Sequence, residues 1–143
     1  MKILFVTPRY YPAIGGVEYV VQSIAEELSK QRHEVVIYTL DHTNGKLPKK
    51  DVINNVLVRR YLGLSPQEAY HIPSPKIMLD IIASEADIIH IHSVHAMLTT
   101  LTLGIINKHQ RRVNKVILSP HYIGESKSPL RQILFKILSL IHI

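Results

Sequence analysis

The chain has 143 residues, 17 of them Lys or Arg against 11 Asp or Glu, for a net charge of +6 with its nine histidines neutral. That length suits a single domain with a real core. The absence of cysteine excludes disulfides and thiolate zinc sites and is compatible with a reducing interior; a cytoplasmic location is the expectation. The basic surplus favours anionic partners (phosphates, nucleic acid or acidic lipid headgroups), although a merely soluble basic surface has the same composition.

KILFVT (2–7) is an apolar run of strand length, as expected of a strand covered on both faces. It belongs to the start MKILFVTPRYYP, where Pro8 breaks the run. The run is too short for a signal peptide's apolar region or a membrane span. A loop over 8–15 leads to Gly15-Gly16, and from Gly16 the residues Val17, Val20, Val21, Ile24 and Leu28 recur at helical spacing. Glu18, Gln22, Glu26, Glu27 and Lys30 fill the opposite face. EVVIYTL (34–40) reads as a second strand. The polar stretch DHTNGKLPKKDVINN reads as turns, marked by Asn44-Gly45 and Pro48.

VLVRRY (56–61) is the third expected strand, followed by an irregular loop over 62–75 and a short helix at 76–84 carrying Ile77, Met78, Ile81 and Ile82. ADIIHIHS (86–93) is the fourth strand, 95–109 a helix and KVILSPH (115–121) the fifth strand. Pro129 opens a last helical pattern with the stripe Leu130, Ile133, Leu134, Ile137, Leu138 and Ile141. Strands alternating with helices predict an α/β fold built on a parallel sheet. The apolar first strand belongs at its centre, in the order 3-2-1-4-5. Ligands of such sheets bind at the carboxyl ends of the strands. That rule gathers Thr7 to Gly16, His90 to His95 and Ser119 to Glu125 at one crevice.

Glycines between a strand and a helix let an anion approach unsatisfied backbone N–H groups at the positive end of the helix dipole. A tight turn would use glycines too. Neither G-x-G-x-x-G nor a G-K-[ST] is present, so the pair is no dinucleotide or Walker A fingerprint. His90 and His92 share one strand face and form half of a metal site that His95 or a carboxylate would have to complete. Asp87 falls on the opposite face, so hydrogen-bonded histidines lining a cleft are the simpler reading. His121 stands at a strand end as a candidate acid, base or orienting donor. Ser119 and Ser126 lack a nucleophile elbow. Lys49-Lys50, Arg59-Arg60 and Arg111-Arg112 read as solvated edges, or as contacts for acidic lipid. Arg9, Tyr10 and Tyr11 either grip a substrate or pack the loop.

Taken together, KILFVTPRYYPAIGGVEYVVQSIAEELSKQRHEVVIYT, ADIIHIHS and VILSPH resemble the N-terminal half of a retaining GT-B glycosyltransferase of family 4. The resemblance runs along nearly the whole chain, and its most specific part is the strand, P-x-x-G-G-x-E loop and helix of the first segment. It implies a Rossmann-like, acceptor-side domain over 1–143 that would face a donor-binding domain across a cleft. Gly15 and Gly16 would lie against the donor diphosphate and acceptor, and catalytic His121 by the reacting sugar. Arg9, Tyr10, Tyr11, Glu18, His92 and His95 are the acceptor-cleft candidates. The implied partners are a nucleotide-sugar donor and a glycan or lipid-linked acceptor, with no nucleic acid, no metal and no other cofactor. Peripheral contact with an acidic inner membrane face also fits the basic surface.

The donor domain, with its E-x7-E motif, and the last strands of the N-terminal domain are expected to be missing. The chain then reads as a fragment, a truncated reading frame or one piece of a split enzyme, inactive by itself. The alternative is a non-catalytic nucleotide- or dinucleotide-binding module in which Asp41 holds a ribose.

Overall fold

In the computed structural model, which describes residues 1–64, 72–94, 96–108 and 115–121, the first apolar run forms strand β1 (Lys2–Thr7), buried at every position but Lys2. Burial on both faces follows from its place in the sheet. β1 pairs in parallel with β2 (Glu34–Asp41) on one side and β6 (Ile88–His92) on the other. Beyond β2 lies β4 (Val56–Leu64), and beyond β6 lies β7 (Lys115–Ser119), both parallel to their neighbours. The parallel order β4-β2-β1-β6-β7 is the expected 3-2-1-4-5.

Two strands were not expected. β3 (Lys50–Ile53) pairs antiparallel with β4 at the sheet's edge, and β5 (Ile72–Pro73) pairs antiparallel with the end of β4. β3 is hidden in polar sequence because it is an edge strand with Lys50 and Val52 exposed. Asn54 and Asn55, both left-handed at φ 49° and 65°, make the two-residue turn that returns it to β4. β5 approaches β4 where Gly63 has no side chain: a Cβ there would stand 2.9 Å from the Ile72 carbonyl oxygen.

Helix α1 (Gly16–Lys30) covers one face of the sheet, and α2 (Pro75–Ile82) and α3 (Met97–Lys108) cover the other. Under α1, Val17, Val21, Ile24, Ala25 and Leu28 pack on Ile3, Phe5, Val35, Ile37, Val56 and Val58. Val20, expected in this stripe, is 38% exposed, and Ala25 is fully buried. At 100° per residue the stripe centres on Val21 and Ala25, which leaves Val20 at its rim. On the opposite face Ile77, Met78, Ile81, Leu98 and Ile106 pack on Leu4, Val6, Val36, Leu40, Ile89 and Ile91. Each buried aliphatic side chain contributes about 1.5–3 kcal/mol. The first and last residues of the expected 95–109 helix and the Leu130–Ile141 stripe lie outside the described residues, as do Arg111-Arg112, Glu125 and Ser126.

Arg60 joins three segments of this frame. Its side chain is almost wholly buried, and the guanidinium donates to the carbonyls of Pro48 at 3.1 Å and Tyr11 at 3.0 Å and reaches the Asp51 carboxylate at 3.3 Å. Replacing Arg60 by Met keeps an apolar stem but strands both carbonyls, each worth about 1–3 kcal/mol when left unpaired. Urea unfolding of Arg60→Met is expected to show a loss of about 2–4 kcal/mol. A loss near zero would mean that the guanidinium ties nothing together.

Candidate functional site

The carboxyl ends of β1, β6 and β7 bring the glycine loop and two histidines to one edge. Gly15 is the N-cap of α1 in fully extended backbone, φ −174° and ψ 172°, and no side chain caps the helix. The helical ladder starts with the Tyr19 N–H donating to the Gly15 carbonyl at 3.0 Å. The N–H groups of the first turn therefore point outward, together with the positive end of the helix. Neither Gly15 nor Gly16 has a positive φ; among the described glycines only Gly45 does. The backbone of the turn does not demand glycine.

The two glycines differ in what uses their bareness. A Cβ on Gly15 would collide with the Glu18 carboxylate, which folds back over the N-cap. A Cβ on Gly16 would meet nothing within 4 Å. Glu18 also forms an ion pair with Arg9, Nε to Oε1 3.8 Å, while the Thr7 hydroxyl donates to the Arg9 carbonyl at 3.1 Å. Tyr11 is exposed. Of the two readings open for Tyr10, its surroundings match loop packing: it is 1% exposed and packed in the core beneath α1. Burial, reinforced by Glu26 and opposed by Arg60, pushes its hydroxyl up to about 12.

The histidines form a stack. His90 and His92 lie on the α1 face against Phe5, with ring centroids 4.1 Å apart, and His121 stacks on His92 at 5.0 Å. His90 Nε2 is 2.8 Å from the Ser119 hydroxyl, and His92 Nδ1 is 2.8 Å from His121 Nε2. The strand ends are fixed from behind by Thr99 of α3, whose hydroxyl lies 2.8 Å from the carbonyls of both His92 and Ser93. Ser93 and His121 both sit in left-handed backbone, at φ 67° and 45°. Bulk solvent does not reach His92, and its Nε2 has no partner.

A buried lone pair without a partner costs less than a buried N–H without one. The proton of neutral His92 therefore belongs on Nδ1, donated to His121 Nε2. His121 then carries its own proton on Nδ1 and presents a donor, not a base. Burial, aided by His90 and His121, pushes His92 down to about 3, and burial with His121 also lowers His90.

Asp87, just before β6, accepts from the Lys2 backbone N–H at 2.7 Å. No group of three or more possible metal ligands is assembled among the described residues; His95 lies outside them. Asp41 is taken up by its own turn, accepting from the Thr43 N–H and hydroxyl and from the Gly45 N–H. Burial raises its pKa, but these bonds outweigh burial and hold the carboxyl below the usual range. That occupation removes the support for Asp41 as a ribose ligand.

Arg59-Arg60 is no simple solvated pair. Strand alternation sends Arg60 beneath the loop, while Arg59 lies over the Tyr38 ring at 5.7 Å. Residues Asp41, Lys49, Lys50, Arg59, Arg60, Tyr61, Leu62, Ser74 and Lys76 help line a cleft of about 470 Å³ at the ends of β2 and β4. Sequence reasoning missed this cleft and Thr99. The adjacent basic pairs at 49–50 and 59–60 were its signal.

A family profile, Glycosyltransferase Family 4, matches residues 14–142. A GDP-mannose:cellobiosyl-diphosphopolyprenol alpha-mannosyltransferase from Xanthomonas oryzae pv. oryzae (strain PXO99A) is 31% identical over 99 residues, covering 66% of this chain and 25% of the relative. A sucrose-phosphate synthase from Thermosynechococcus elongatus has a similar fold, with TM-score 0.57 and 14% identity over 96% of this chain and 39% of that one. The chain thus spans about a quarter of the curated relative's length. No helix among the described residues is long and apolar enough to cross a membrane.

The buried histidines set a pH dependence. An unfolded chain protonates histidine near pH 6.5, whereas the fold keeps His92 neutral down to about 3. Between those values the unfolded state binds more protons. Stability is therefore full above about pH 6.5 and falls on acidification, by up to about 1.4 kcal/mol per pH unit for one ring. Between pH 7 and 5, His92→Phe is expected to lose up to about 2 kcal/mol less than the parent in urea unfolding. Equal losses would show that His92 is not held neutral.

Proposed function

The chain belongs to glycosyltransferase family 4, and on that premise we propose that it forms the acceptor-side half of a glycosyltransferase that moves a sugar from a nucleoside-diphosphate sugar to a lipid-linked or glycan acceptor. The anomeric carbon is transferred with retention: the acceptor oxygen bonds to it on the face the diphosphate leaves. The acceptor's proton passes to the departing phosphate oxygens. Such a reaction needs no protein base at His121, and the tautomer set by His92 gives that ring an N–H to hold a sugar hydroxyl. The leaving diphosphate is stabilised by the α1 N-terminus and nearby basic groups, without a resident metal.

One observation carries this reading. Gly16 lacks a side chain where nothing in the described fold needs the space, directly at an uncapped helix N-terminus. An alternative, a non-catalytic nucleotide-binding module, also explains a bare glycine, but it has lost the ribose ligand expected of Asp41. Both hands of the clamp are required for turnover, since positioning supplies roughly 7–11 kcal/mol of a barrier. The 143-residue chain by itself would leave a nucleotide sugar bound at about millimolar affinity or weaker.

Gly16→Ala separates fold from function. At a helical φ, the change restricts the unfolded chain and stabilises by about 0.4–1 kcal/mol. In a chain continued through a donor-binding domain, the same methyl takes the place of a phosphate oxygen. We expect an equal or higher melting temperature with transfer reduced at least about tenfold, a loss of ~1.4 kcal/mol in transition-state binding. Unchanged transfer would make both glycines structural, and robust transfer by the 143-residue chain alone would refute the two-domain reading.

A further inference from the structure

The cleft at the ends of β2 and β4 has a charge pattern that the glycine loop does not explain. Five cations, Lys49, Lys50, Arg59, Arg60 and Lys76, line it beside two carboxylates, Asp41 and Asp80. Both carboxylates are already engaged. Asp41 holds its own turn, and Asp80 accepts from the Tyr61 hydroxyl at 2.8 Å and pairs with Lys76 at 3.6 Å. Arg60 is likewise committed to Tyr11, Pro48 and Asp51.

The remaining positive charge faces the cavity. Arg59 is partly buried; burial lowers its pKa, but Tyr38, Tyr61 and Asp80 outweigh burial and keep it charged. Lys49 and Lys50 are exposed at the rim. Ser74, the N-cap of α2, also lines the cleft, and its side chain makes no capping bond. Its hydroxyl and the positive end of α2 add to the same field. Beside the cations stand apolar residues turned to solvent: Leu62 lines the cleft at 56% exposed, and Leu64, two residues along β4, is 69% exposed. A charged basin with an apolar lip matches a ligand with an anionic head and a hydrocarbon tail.

We infer that this cleft is an anion-binding subsite, held by Lys49, Lys50 and Arg59, for the phosphorylated head of a lipid whose hydrocarbon chain lies over Leu62 and Leu64. The inference rests on the glycosyltransferase reading and names the acceptor's class. Arg60 joins the two places physically, since it forms a wall of the cleft and holds the Tyr11 carbonyl of the glycine loop. A head group bound here sits at the same carboxyl edge of the sheet as Gly16.

Titrating the isotopically labelled chain with inorganic pyrophosphate, GDP, farnesyl diphosphate and farnesol, at low and raised salt, tests it by NMR. Pyrophosphate is expected to shift the side-chain signals of Lys49, Lys50 and Arg59, and to weaken with salt. Farnesyl diphosphate should bind about tenfold tighter than pyrophosphate through buried apolar area, and farnesol should leave the basic side chains unmoved. Lys49→Ala combined with Lys50→Ala removes only exposed side chains and should weaken pyrophosphate about fivefold or more with the fold intact. The charge-preserving Arg59→Lys keeps part of the affinity. Unmoved basic side chains, or binding indifferent to the double substitution, would overturn the subsite. Equal affinity for pyrophosphate and farnesyl diphosphate would overturn the lipid assignment. GDP binding tighter than farnesyl diphosphate in the cleft would do the same and mark it as a nucleotide site. Cleft binding in a protein whose extended form transfers no sugar would instead sink the glycosyltransferase reading alone.

Discussion

Parallel pairing of β1 with both β2 and β6 is the constraint on which everything else depends. Strands that run the same way must end on the same edge, and each must be re-entered by a crossover segment on one face or the other. The loops that leave those ends are therefore neighbours however far apart they are in sequence. Thr7 and the glycine loop, Asp41 and its turn, Arg60 to Leu64, His92 and Ser119 to His121 all stand there for this reason. The central strand has no polar face to spare, which is why it is so apolar. The chemistry is left to the strand ends and the loops beyond them.

Two devices keep that edge in shape without filling it. Arg60 fastens the glycine loop to the β3 hairpin from below. Thr99, from the opposite layer, fastens the turn after His92. Against this rigidity stand features that cost stability: an uncapped helix N-terminus with a bare Gly16, left-handed Ser93 and His121, and a buried His92 with an unpaired ring nitrogen. Such costs tend to gather where a protein holds space or geometry for something else. Here the uncapped turn, the unpaired His92 nitrogen and two of the left-handed residues share the carboxyl edge, while left-handed Arg32, Asn54, Asn55 and Glu85 stand in turns at the other end of the strands.

The sequence made the centre of the fold legible and its margins obscure. β1 and β2 were readable because long apolar runs leave little choice for strands covered on both sides, and α1 because its 3.6-residue period marks one buried face. β3 and β5 were not, since an edge strand is short, polar and held by one neighbour. Within the site, the glycine pair and the strand-end histidines could be placed from the topology rule alone. Tyr10 could not, because whether a loop tyrosine faces the core or the crevice depends on the packing of the next helix. Arg59 and Arg60 look alike in sequence, yet one residue of alternation makes the first a cleft cation and the second a buried clasp. Gly15 and Gly16 also look alike in sequence, yet one clears room for Glu18 and the other for nothing in the described chain.

On the proposed function, the uncapped first turn of α1 is a phosphate seat. Backbone amide shifts of the labelled chain, followed as a nucleoside diphosphate is titrated to tens of millimolar, address it most directly. If the claim holds, the N–H signals of Gly16, Val17 and Glu18 move together and saturate, the Arg9 side chain responds as Glu18 gives way, and Gly16→Ala abolishes the effect while leaving the rest of the spectrum in place. Signals at Gly16 to Glu18 that stay fixed throughout, or that move equally in Gly16→Ala, would contradict it.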